Sequence, residues 1–213
     1  MAVLFCLLRK GDSRPTVPAQ TRAVVLNIVT HALLGWCAAQ RLASERRDML
    51  IATAGSVAPD LDAIGILAGT GPEGQGIEWF SRFHHVLAHN FFAGILFTVM
   101  AFALAKDRFR AAVLVLLLFH AHLLCDVIGS RGPDGEQWAI PYLYPASNSM
   151  TLTWSGQWEV NAWPNLLFTV FLLFLFFKQA RDRGFSALWF VSASADAAFI
   201  ETLRARFPIP VKG

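Results

Sequence analysis

Six histidines and three aspartates lie in or beside stretches apolar enough for a bilayer: His31, His84, His85, His89, His120 and His122, with Asp60, Asp62 and Asp126. A charge in hydrocarbon costs at least about 2.5–3.5 kcal/mol even on lenient insertion scales, so such groups persist where they neutralise one another or share a cation. Imidazole and carboxylate are also the ligands that zinc and similar divalent metals take from proteins. His122 and Asp126 are four apart. On a helix they stack on one face and can grip one ion. His120 is turned by about 200° from His122 and faces elsewhere. A histidine packed or hydrogen-bonded against a neighbouring helix is the plainer account of it.

Asp60 and Asp62 follow Pro59. On a helix they would diverge, whereas in an extended turn both reach one site. The alternative is a helix-ending turn in which Asp60 caps the next helix. Within 84–89, His85 and His89 have same-face spacing. His84 and His89 converge only where the helix starts after His84. Arg82, His84 and His85 at a membrane boundary would otherwise form an interfacial anchor. Other chemistries lack their motifs: there is no GxSxG, Walker loop, CxxC or GxGxxG. The glycine-rich run 69–76 lacks the lysine a phosphate loop needs and reads as a flexible outer loop.

The elements that carry these residues follow from composition. Of 213 residues, 55% are hydrophobic and 15% charged, and the mean hydropathy is +0.46. Soluble domains carry about 25% charge and about 45–50% apolar residues. The chain is therefore neither disordered nor a coiled coil. No nucleic acid is expected as a partner, because the net charge of +3 comes with no basic tract. Cys6, Cys37 and Cys125 form no pairable motif and read as free, buried thiols.

Five stretches can enter a bilayer: 23–39, 49–69, 86–105, 111–129 and 162–177. A span needs about 20 residues. His31 and the Pro59-Asp60-Leu61-Asp62 segment interrupt the first two, which read as broken or partly inserted. The expected fold is all-α, a multi-pass helical membrane protein with about four to five transmembrane or re-entrant helices. Residues 1–22 read as a poorly ordered extension, since their basic groups follow the apolar run instead of preceding it as in a signal peptide. Residues 23–183 form the membrane domain with the site, and 184–213 a surface helix and tail. Loop 130–161 is rich in tryptophan and tyrosine, which favour the interface, and reads as an outer cap.

Basic residues mark 40–48, 106–110 and 178–183, while loops 70–85 and 130–161 hold an acidic excess. The positive-inside rule makes the first set cytoplasmic and turns the site toward the outer face of an inner membrane. Segment 23–39 is flanked by basic residues at both ends, so it is re-entrant or has a translocated N-terminus.

The ordered motifs resemble those of the membrane-bound metal-dependent hydrolase family of the YdjM type. Thr30-His31-Ala32 with Gly35 is similar to its N-terminal histidine helix, and Ala58-Pro59-Asp60-Leu61-Asp62 to its Pro-Asp-x-Asp turn. His84 to His89 resembles its His-x4-His element. His122-Leu123-Leu124-Cys125-Asp126 resembles its His-x3-Asp element, followed by Gly132 and Ile140-Pro141. The chain departs at His85, where the family usually has arginine, at Ala88 and Asn90, usually Thr and Ser, and at Gly129, often Thr. The resemblance implies hydrolase chemistry inferred from a looser likeness to zinc-dependent phospholipase C, which also uses a His-x3-Asp pair.

Residues and resemblance together give a metal site of His31, Asp60, Asp62, His84, His89, His122 and Asp126, with Asp62 as the candidate general base. The cofactor is a divalent metal, zinc foremost, as one ion or two. The expected function is metal-dependent hydrolysis of a phosphoester or related ester, in a lipid or otherwise, within the lipid bilayer. The alternative is a non-enzymatic metal- or proton-binding transporter, which inverted repeats would favour. No repeat is visible.

Overall fold

The computed structural model describes residues 19–64, 83–132 and 135–209. Most of the N-terminal extension, the glycine-rich run 69–76, Cys6 and residues 210–213 lie outside the described residues.

Helix α1 (Ala19–Leu42) leads to α2 (Arg46–Val57), which tightens into a 3₁₀ segment, Ala58–Ile64. Pro59 cannot donate to an α-helical ladder, so the stretch 49–69 is not one straight helix. After the histidine turn come α3 (Phe91–Leu104) and α4 (Arg108–Gly129). A two-residue antiparallel pair, β1 (Ile140–Pro141) with β2 (Thr151–Leu152), precedes α5 (Trp163–Arg183). Helix α5 ends at Gly184, whose φ of +76° supplies the left-handed cap. A short turn, Ala187–Phe190, and α6 (Ala193–Arg206) complete the described chain.

The structure is mostly helical, and among the described residues α4 and α5 are long and apolar enough to cross a membrane. Helix α3 is apolar but has only 14 residues, short of the roughly 17 that a span needs. Helix α1 has 24 residues and carries Asn27, Thr30 and His31 on its inward side. Leu117 and Leu124 on α4 and Leu167, Val170 and Phe174 on α5 stay exposed, as lipid-facing side chains would.

Small residues let the helices approach closely. A Cβ on Gly35 of α1 would sit 2.6 Å from the Ser56 Cβ of α2. One on Gly55 of α2 would sit 2.8 Å from the Val115 side chain of α4. Around these crossings Trp36, Ala39, Met49, Ala52, Leu114 and Leu118 form one core cluster, and Ala58, Phe119, Leu123 and Ile140 another. At one end of the bundle the buried Asp48 carboxylate accepts from Lys106 N and Asp107 N, both at 2.9 Å. Lys106 Nζ also meets Glu45 Oε2 at 2.9 Å, so the basic segments 40–48 and 106–110 meet at the same end.

Candidate metal centre

The centre lies where α1, the 3₁₀ segment, the histidine turn and α4 converge. His122 and Asp126 occupy the buried face of α4. The Ser56 carbonyl lies 2.8 Å from His122 Nδ1. A carbonyl can only accept, so Nδ1 donates and the neutral ring turns its Nε2 lone pair inward. His89 Nδ1 is 2.9 Å from Asp62 Oδ2, which orients the His89 ring in the same way. The two Nε2 atoms then face each other at 3.2 Å. Asp126 Oδ2 lies 3.0 Å from His122 Nε2 and 3.3 Å from His89 Nε2.

These separations decide what fits. Two ligands on one tetrahedral zinc, with bonds of about 2.0–2.1 Å, stand about 3.3 Å apart. Two inward lone pairs and a carboxylate at that spacing repel unless a proton or a cation lies among them. The donor set and its spacing fit a divalent metal.

The other expected ligands gather around this core. His31, buried mid-helix in α1, places Nε2 3.3 Å from Asp126 Oδ1 and stacks on His122 with ring centroids 3.6 Å apart. Ser56 Oγ donates to the His31 carbonyl at 2.9 Å, tying α2 to that turn of α1. Asp60 Oδ1 lies 3.7 Å from His122 Nε2. Three overlapping groups could each hold an ion: His31 with Asp60 and His122, His89 with His122 and Asp126, and His84 with His85 and His89. Asp62 belongs to none of these groups. It accepts from His84 Nδ1 at 2.8 Å, His89 Nδ1 at 2.9 Å and Ala88 N at 3.2 Å, and so stands behind the two rings.

The histidine segment is not the start of a helix, so same-face spacing does not govern it. Helix α3 begins at Phe91, with the Asn90 side chain accepting from Ala93 N. The Asn90 amide also donates to Val86 O and Leu87 O, folding residues 84–90 into a turn. His85 takes a left-handed φ of +68° there. Burial pushes its pKa well down and leaves the ring neutral.

Residues outside the expected set also contribute. Asn27 Nδ2 donates to Asp126 Oδ1 at 3.1 Å. It stands one helical turn before His31, a spacing that marks it in the sequence. The Ser56 carbonyl has no side-chain signal by which sequence could find it. Trp138 packs edge-on against His84 and His85, and Gln157 joins the Trp138 amide to the Asp126 carbonyl. His120 points away: its Nδ1 lies 2.7 Å from Leu116 O and its Nε2 2.8 Å from the Tyr142 hydroxyl. His120→Ala is therefore expected to leave bound metal unchanged in elemental analysis of the purified protein. A loss of metal would place this ring in the centre.

A helical bundle with two membrane-crossing helices and a buried His/Asp cluster defines a membrane protein with a possible metal-binding centre. The sequence model of the family described as YdjM inner membrane protein matches residues 26–205, and the chain belongs to that family. The family description and the two apolar helices agree on the inner membrane. No curated protein and no solved structure matches the chain.

Proposed function

We propose that this protein is a multi-pass inner-membrane hydrolase that uses a divalent metal, zinc foremost and as one ion or two, on a phosphoester or related ester. The observation that carries this reading is the convergence of His89 Nε2, His122 Nε2 and Asp126 Oδ2 within 3.0–3.3 Å, each ring oriented by an acceptor behind it. His31, Asp60, His89, His122 and Asp126 are the ligands, with His84 beside them. A bound divalent metal lowers the pKa of its water toward about 7 and polarises the attacked oxygen. Asp62 orients the His84 and His89 rings, and the base function assigned to it acts through His84.

A cavity of about 310 Å³ between α1, α4 and α5 reaches His31, with Thr30, Cys125, Trp158 and Phe168 among its walls. Its largely apolar lining supports a substrate with an apolar part, such as a lipid. Helices α1 to α3 join α4 and α5 to make four to five membrane-embedded helices in a domain spanning 23–183. Loop 130–161 caps the outer face, where the site opens.

Two measurements test the reading. Metal-loaded protein in lipid nanodiscs is expected to release phosphorylated headgroups or free acyl chains, and an Asp60→Ala variant to release none. Metal flux into proteoliposomes that Asp60→Ala abolishes would overturn it in favour of transport. For orientation, single cysteines at Glu136 and Lys106 are challenged with an impermeant maleimide on intact cells. Glu136 is expected to react and Lys106 to be protected, and the reverse pattern would put the site on the cytoplasmic side.

A further inference from the structure

We infer that His85 is a further metal ligand of this centre, on the Oδ2 side of Asp126. The inference rests on the metal-centre reading above and adds a residue to it.

His85 is 2% exposed, and neither of its ring nitrogens has a hydrogen-bond partner among the described residues. A buried imidazole with both nitrogens unsatisfied is uncommon in folded proteins and suits a ligand of an ion. Nearby, Asp60 Oδ2 and His31 Nδ1 also lack hydrogen-bond partners among the described residues. His85 Nε2 lies 3.9 Å from Asp126 Oδ2. That is too far for a hydrogen bond. It exceeds the roughly 3.3 Å between two ligands on tetrahedral zinc, so ring and carboxylate would close by about half an ångström on that ion or share a wider five-coordinate shell.

Packing alone does not account for the residue. The ring lies against Trp138, His84 and His89, with centroids 5.4, 4.3 and 4.7 Å away. An apolar side chain would fill that space without stranding two polar atoms. The backbone at His85 is left-handed, a conformation uncommon outside glycine and taken most often by asparagine, aspartate and histidine among the rest. The turn holds the His85 imidazole beside the Asp126 carboxylate.

The test uses the full chain in detergent, stripped of metal and titrated with zinc against a chromogenic chelator. H85N is expected to weaken zinc at least about tenfold, the lower end of what even indirect partners of a metal site contribute. Its metal-free melting temperature should equal or exceed that of wild type, because asparagine tolerates the left-handed backbone. In a second arm, cobalt-loaded H85C should gain a near-ultraviolet thiolate-to-cobalt band that wild type and H120C lack. Wild-type zinc affinity in H85N, or cobalt binding by H85C without the band, overturns the inference and leaves the rest of the centre standing. Failure of wild type to bind zinc overturns the centre itself. If H85N does not fold, the cobalt band decides. Failure of both variants to fold without metal assigns His85 to packing and overturns the inference.

Discussion

Asp126→Asn is expected to strip metal from the purified protein and to remove the metal-dependent part of its thermal stability. Both Asp126 oxygens are engaged: Oδ1 faces Asn27 and His31, and Oδ2 faces His89 and His122. Asparagine preserves the shape but replaces one acceptor by a donor and removes the negative charge. Affinity should fall by on the order of 100-fold or more, beyond what second-shell changes produce. A ligand that binds only the folded state stabilises it by about 2.7 kcal/mol at 100 times its Kd. A stabilisation of that size should vanish from scanning calorimetry with and without chelator. Full metal occupancy in the variant would reduce His122 and Asp126 to an ordinary buried hydrogen bond.

Gly35→Val is the second large effect. The new Cβ would lie 2.6 Å from Ser56 Cβ and 3.1 Å from the Thr53 Cα, so backbone as well as side chain must give way. Overpacking of this kind costs about 1–3 kcal/mol. The damage also reaches the chemistry, because the displaced Ser56 carries the carbonyl that fixes His122. Equilibrium unfolding in detergent should show destabilisation even in chelator, and zinc titration should show weakened binding. A variant with unchanged midpoint and unchanged affinity would mean that α1 and α2 cross more loosely than described.

Spacing was enough to place His122 and Asp126 on one buried face of α4, because the i, i+4 rule holds inside a long regular helix. The proline before Asp60 signalled a departure from α-helix, which the structure resolves as a 3₁₀ segment. The histidine turn was not legible. Its geometry comes from Asn90, which caps α3 while holding Val86 O and Leu87 O, and from Asp62 accepting from Ala88 N. Neither contact follows a helical period. Hydropathy marked α4 and α5 as spans, whereas α1 joins an apolar run to an inward polar face of Asn27, Thr30 and His31.

That face of α1 has a consequence for biogenesis. His31 waits for Asp126, 95 residues later in the chain, and Thr30 for Thr169, 139 residues later, where the two hydroxyl oxygens meet at 2.6 Å. When α1 leaves the ribosome neither partner has been synthesised, and the helix alone is a poor client for lateral release into lipid. It is expected to stay at the insertion machinery or at the interface until α4 and α5 cover its polar groups. Translation stopped before Arg108 should therefore leave the truncated chain extractable by alkaline carbonate, while the completed chain resists extraction.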